Sequence, residues 1–289
     1  MVYQVLATAV DWQHQVPETG TLTVITDSIK ADATFLLLHT LASSLKQTTN
    51  EETVILVSFE QIFVHYSRIL RKMGSNVDAL KLDGRLAFVD GLSELSELTK
   101  LKKNHLDTST NVSDAMKPNS FIKGLGDLNA ADTVSALMQA VLGCSYKIDN
   151  TTNNKPARKI KGIFIHGLSV LVDIACGANI IRLFINILKT YLQENGGFLV
   201  ILTNADQDII NESEAEDDFV SLLTGILYQA DLVFQVEPLI SGYSTDVTGQ
   251  ISIASKPHYK AQISGPTVLH YKTQDTKTVF FAPGQMARF

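Results

Sequence analysis

Short apolar runs alternate with helical patterns along most of this chain. Thr21 to Ile25 is rich in β-branched residues and predicts a buried strand. After a polar turn, Phe35, Leu38, Leu41, Ala42 and Leu45 recur near a 3.6-residue period, which predicts an amphipathic helix. Thr53–Ser58 predicts a second strand. Ile62, Phe63, Tyr66, Ile69 and Leu70 then share one helical face, with Gly74 as a stop. Leu86–Val89 is a third strand. A polar tract over 93–123 precedes a helix over 127–142. Further strands are expected in KGIFIHG, FLVILTN and ADLVFQVEPL. The apolar stretch between the first two of these predicts a helix broken near Gly177. The last part of the chain changes period: GQISIAS, TVLHYKT and KTVFFAP suit antiparallel strands.

Strands separated by helices imply βαβ units and a mostly parallel sheet, which the C-terminal strands extend antiparallel at one edge. The fold class expected is α/β. No linker divides the chain, so residues 1–289 are expected to form a single domain.

Composition adds little except where it is local. With 45% hydrophobic and 19% charged residues, the chain can bury a core. Two cysteines, Cys144 and Cys176, leave no disulfide framework and no cysteine zinc site. No basic segment precedes the first apolar stretch, so no signal peptide is expected. The compartment expected is the cytoplasm, with the nucleus in addition. Net charge is −6, but seven acids and no base lie between Asp206 and Asp218; without them the remaining charge is +1. That acidic tract is expected to stay away from RNA, and the rest of the surface does not forbid a nucleic-acid partner.

The turn between the first strand and helix is where a phosphate loop, GxxxxGK[ST], would stand. Its glycines let backbone N–H groups surround phosphates, its lysine reaches them, and its hydroxyl holds magnesium. Here the eight residues are Asp27, Ser28, Ile29, Lys30, Ala31, Asp32, Ala33 and Thr34. Both glycines have become aspartates and the lysine has become Ala33; only Thr34 fits. Losing a charged hydrogen bond costs about 1.5–3 kcal/mol. A carboxylate near a phosphate charge adds roughly 4 kcal/mol of repulsion at an effective dielectric of about 20. Asp32 or Thr34 is expected to cap the helix instead, and no cofactor or metal is expected. The carboxylate that would position magnesium on a later strand is also missing: His166 and Gly167 stand there. His166 reads as structural rather than as a base or ligand, Ser169 as a helix cap, and His39 and His65 as core or interface residues. Thr203 and Asn204 stand where a hydrolysis sensor would.

Several motifs in order carry a resemblance. FLLLHTLASSLK (Phe35 to Lys46), VSFEQIFVHYS (Val57 to Ser67), GRLAFVDGL (Gly84 to Leu92), LSVLV and PLISGYSTDVTGQISI (Pro238 to Ile253) together resemble the Elongator complex protein 6 family. That family often carries acids where His166 and Gly167 stand and a glycine where Ala33 stands. The resemblance implies a RecA-like fold without phosphate-loop chemistry and no enzymatic activity. It also implies a heterohexameric ring with Elongator complex proteins 4 and 5, joined to the catalytic Elongator subunits that modify the wobble uridine of certain tRNAs. The ring is expected to bind tRNA and to use ATP to release it. In this chain the basic residues taken as RNA-binding candidates are Lys155, Arg158, Lys256 and Lys260. The other tracts considered are Lys100, Lys102 and Lys103, with Lys159 and Lys161 beside Arg158. The alternative reading is an ATPase or kinase with an atypical phosphate loop.

Overall fold

A computed structural model describes residues 4–12, 15–91, 134–135, 137–143, 158–173, 177–206, 210, 217–257, 267–274 and 277–285. Among the described residues, nine strands form one sheet: β1 (Leu22–Asp27), β2 (Glu52–Ser58), β3 (Leu86–Asp90), β4 (Lys159–His166), β5 (Phe198–Asn204), β6 (Leu232–Glu237), β7 (Gly249–Ser255), β8 (Val268–Thr273) and β9 (Thr278–Phe281). Their order is β3-β2-β4-β5-β1-β6-β7-β8-β9. Pairings from β3 to β6 are all parallel, and β6 to β9 pair antiparallel. This is the expected α/β arrangement, down to the antiparallel edge.

The parallel strands read as unbroken apolar runs because both sheet faces are covered. Alternation separates the two cores. Phe164, Phe198, Val200 and Leu202 point into one core, and Ile163, Ile165, Leu199 and Ile201 into the other. The first core is covered by α1 (Gln4–Ala9), α2 (Thr34–Gln47), α3 (Phe63–Lys72) and α4 (Val77–Leu82). The second is covered by α5 (Val170–Asp173), α6 (Ala178–Asn195) and α7 (Asp218–Gln229), together with Val134, Leu137 and Val141. Gly177 stands at the N-cap of α6, so the expected break is present.

Helix α2 is buried more widely than an amphipathic stripe, and the buried hydroxyls of the helix and its C-cap bond back to helix carbonyls. The hydroxyls of Thr40, Ser44 and Thr48 donate to the carbonyls of Leu36, Thr40 and Ser44 at 2.9, 2.8 and 2.7 Å. The expected face of α3 is correct for Tyr66 and Leu70 but not for Ile62, which precedes the helix and is exposed. The 93–123 tract, the start of the 127–142 helix and both cysteines lie outside the described residues.

Gly249, the first residue of β7, does not adopt a positive φ. A left-handed backbone is therefore not what requires glycine at this position. The position excludes a side chain for another reason: a Cβ would stand 2.6 Å from the Glu237 carbonyl and 2.7 Å from Tyr271 Oη.

Candidate functional site

The carboxyl end of β1 lies between β5 and β6, the position where open α/β sheets bind ligands. The turn that follows is closed on itself. Ser28 and Ala31 exchange backbone hydrogen bonds at 3.3 and 3.0 Å. The Ala33 N–H donates to Asp27 Oδ2 at 3.2 Å, the Thr34 N–H to Asp32 Oδ1 at 2.7 Å, and the Ile29 N–H to Asp206 Oδ2 at 3.1 Å. The N–H groups of Ser28, Ile29, Ala31, Ala33 and Thr34 thus all donate within the protein, three of them to carboxylates. A phosphate loop offers such groups to an anion; in this turn the anions are the chain's own side chains.

Asp32, not Thr34, supplies the helix-start acceptor. Thr34 is the first residue of α2, and the N-cap residue Ala33 has no side-chain acceptor to offer. Asp206, the first acid of the 206–218 tract, is 5% exposed and reaches across 177 residues to the turn. Asn204 sets its approach, accepting the Asp206 N–H at 3.0 Å. Asp217 is the N-cap of α7, and its carboxylate accepts from the N–H groups of Phe219 and Val220 at 2.7 and 3.3 Å. At least these members of the tract have structural work.

Burial pushes the Asp27 carboxyl up to about 6; the Ala33 N–H opposes this, the neighbouring Asp32 and Glu60 add to it, and His166 opposes it. The native state then holds a proton on Asp27 more tightly than the unfolded chain does. This contribution to stability is fully present below about pH 4 and is lost as pH rises through about 6. Asn keeps an acceptor for Ala33 without the charge. Asp27→Asn is therefore expected to be more stable than wild type at pH 7 by about 1–2 kcal/mol, after discounting for solvent screening, with the difference vanishing near pH 4. Urea unfolding of both proteins from pH 4 to 7 checks this; a constant difference across that range contradicts it.

Beside the turn, at the ends of β2 and β4, lies a buried relay. Ser58 Oγ is 2.6 Å from Tyr66 Oη, which is 2.6 Å from His166 Nδ1; His166 Nε2 is 3.2 Å from Glu60 Oε2. Ser58 Oγ already accepts the N–H groups of Glu60 and Gln61 at 3.3 and 3.0 Å. Its own proton therefore goes to Tyr66, whose proton goes to Nδ1, leaving the Nε2–H for Glu60. Burial pushes the Tyr66 phenol further up, which keeps it a donor. This chain of hydrogen bonds engages both ring nitrogens of His166, which is 3% exposed. Gly167 permits it: at φ +80°, a Cβ there would collide with the Glu60 side chain. Tyr66 was legible as a core residue of α3, but no local signal marked its partnership with His166, a hundred residues away. Thr203 is buried in β5, His39 is half-buried in α2, where burial lowers its pKa to about 3, and His65 is exposed. Ser169 directly precedes α5.

Of the RNA candidates, Lys155 and Lys260 lie outside the described residues, as do Lys100, Lys102 and Lys103. Arg158 directly precedes β4 and Lys256 directly follows β7. Because β7 runs antiparallel to β6, both stand at the amino-terminal end of the parallel strands, the end opposite the turn. The structure thus brings these two to one side of the sheet. Lys256 Nζ donates to the Gln229 carbonyl at 3.0 Å and lies 3.9 Å from Asp231, and Lys161 pairs with Glu52 at 3.2 Å. Among the described residues, no group of three or more histidines, cysteines or carboxylates could hold a metal ion, and no helix is long and apolar enough to cross a membrane.

The fold is RecA-like. The structure aligns with the crystal structure of a KaiC-like protein from the archaeon Pyrococcus horikoshii at a TM-score of 0.54, over 97% of this chain and 100% of that one, at 13% identity. Within that class, residues 3–275 match the family model described as Elongation complex protein 6, and the chain belongs to this family. It is 29% identical to Elongator complex protein 6 of Homo sapiens and 27% identical to that of Mus musculus, in each case over 92% of both chains. Identity to the Dictyostelium discoideum protein of the same name is 23%, over 92% of this chain and 91% of that one.

Proposed function

We propose that this chain is a non-catalytic subunit of the Elongator complex. It assembles with Elongator complex proteins 4 and 5 into a heterohexameric ring that binds tRNA and supports modification of its wobble uridine by the catalytic subunits. The observation that carries the non-catalytic part is the turn after β1, where Asp27, Asp32 and Asp206 take the N–H groups of Ala33, Thr34 and Ile29. A nucleotide would have to displace these bonds and then sit against the carboxylates that made them. Family membership supports the assignment to Elongator. The basic residues at the amino-terminal end of the sheet, Arg158 and Lys256, together with Lys155 and Lys260, are the proposed RNA contacts, and the single domain is proposed to need no cofactor of its own.

Coexpression with Elongator complex proteins 4 and 5, followed by native mass measurement, tests the assembly. The expected species contains six subunits, two of each kind. A chain that stays monomeric beside its two partners overturns the reading.

A further inference from the structure

A cleft of about 260 Å³ opens between the turn after β1 and the segment that follows β6. Asp27, Asp206 and Glu237 contribute three carboxylates to its lining, against the single ammonium of Lys30. Glu237 is hydrogen-bonded by neutral donors, the side-chain amides of Gln235 and Gln250 at 2.8 and 3.3 Å. Asp27 receives the backbone N–H of Ala33. A carboxylate offers about four acceptor sites, so both retain capacity toward the cleft.

The rim is apolar. Ile240 lines the cleft and is 93% exposed; Ile29, between the lining residues Ser28 and Lys30, is 81% exposed; Tyr243, in the same loop as Ile240, is 95% exposed. These are three of the five most exposed large hydrophobic residues among those described. The loop that carries two of them is held in place: Gly242 closes a turn onto Leu239 at 3.0 Å, and Lys272 Nζ donates to the Thr245 carbonyl at 2.7 Å.

We propose that this cleft receives a lysine or arginine side chain of a partner protein, flanked there by apolar residues that cover Ile29, Ile240 and Tyr243. An anion, whether phosphate or nucleic acid, would meet an excess of negative charge. A wholly apolar segment would bury the carboxylates without a counter-charge. A cation seated among them and sealed by an apolar ring gains strength from the exclusion of water, the arrangement found at the centres of tight interfaces. A free ion would leave the rim uncovered.

The choice of partner rests on the functional reading above: the preformed pair of Elongator complex proteins 4 and 5 is the probe. Its affinity for the purified chain is measured by anisotropy at several salt concentrations. Glu237→Lys and Ile240→Asp are each expected to weaken binding at least tenfold, and Glu237→Gln to flatten the salt dependence. Ile240 is too exposed for its replacement to unfold the chain, and unchanged melting temperatures confirm that the effect is on binding. Leu82→Asp, at an equally exposed site at the end of α4 beside the opposite sheet edge, is expected to bind as wild type does. Wild-type affinity in both Glu237→Lys and Ile240→Asp overturns this inference and leaves the functional reading standing. Tighter binding by Glu237→Lys also overturns it, because the occupant is then acidic. So does self-association of the wild-type chain that these variants abolish, because the occupant is then a second copy. Failure of the wild-type chain to bind the pair overturns the functional reading, and this inference with it.

Discussion

Replacing Gly249 with valine is expected to lower the melting temperature by roughly 6–12 °C. The new Cβ would stand 2.6 Å from the Glu237 carbonyl oxygen and 2.7 and 2.8 Å from Tyr271 Oη and Cε1. Overpacked cores typically lose about 1–3 kcal/mol, because flexible neighbours yield. Here the nearest neighbour is backbone. Glu237 pairs with Gln250 in the β6–β7 ladder, and Gly249 pairs with Tyr271 in the β7–β8 ladder. Relief therefore requires the strands to part where the antiparallel extension begins. A loss of about 3 kcal/mol, at about 2–4 °C per kcal/mol for a chain of this size, gives the stated shift. Gly242 is the comparison: it has φ +89° but nothing within 4 Å of a Cβ. Gly242→Ala should lose only about 1 kcal/mol, the left-handed penalty alone. Calorimetry on the two variants separates close approach from backbone conformation; an unchanged melting temperature for Gly249→Val contradicts the packing argument.

The isolated chain is expected to bind tRNA about 10²–10⁴-fold more weakly than the assembled ring does, the range that linked weak contacts supply through effective concentration. Outside the acidic tract the chain carries a net charge of +1, so it presents no dominant basic field. Part of its basic charge is matched locally: Lys189 pairs with Asp231 at 2.7 Å, and Lys256 and Lys161 also have acidic neighbours. What remains is a modest patch that a ring repeats and to which the partner subunits add their own charge. Such binding rests on phosphate contacts and weakens steeply with salt. Replacing Lys155 and Arg158, or Lys256 and Lys260, with alanine should weaken ring binding and flatten the salt slope while the ring stays assembled. Anisotropy titrations of chain and ring at several salt concentrations measure this. Equal affinity of chain and ring contradicts it.

The architecture was legible because its physics is local. Strands covered on both faces read as apolar runs, helices repeat at 3.6 residues, and the change to alternation after Gly249 announced the antiparallel edge. The departure from the phosphate-loop pattern was legible too, since glycines and lysine were replaced within eight residues. What replaced it was not. Asp206 belongs by sequence to an acidic tract, yet it is buried and bonded to Ile29; composition cannot show that this acid turns inward. The relay through Ser58, Tyr66, His166 and Glu60 joins two strands and a helix, and no spacing rule links them. The need for glycine at position 249 comes from the close approach of the Glu237 carbonyl and Tyr271, which exists only in the folded sheet.

The proposed non-catalytic role rests most on a phosphate turn filled from within. Calorimetric titration of Mg-ATP into the purified chain tests it directly. The self-satisfied N–H groups and the carboxylates of Asp27, Asp32 and Asp206 predict binding no tighter than about millimolar, since each lost charged hydrogen bond costs about 1.5–3 kcal/mol. Saturable binding of Mg-ATP at micromolar concentration by the chain alone would contradict it.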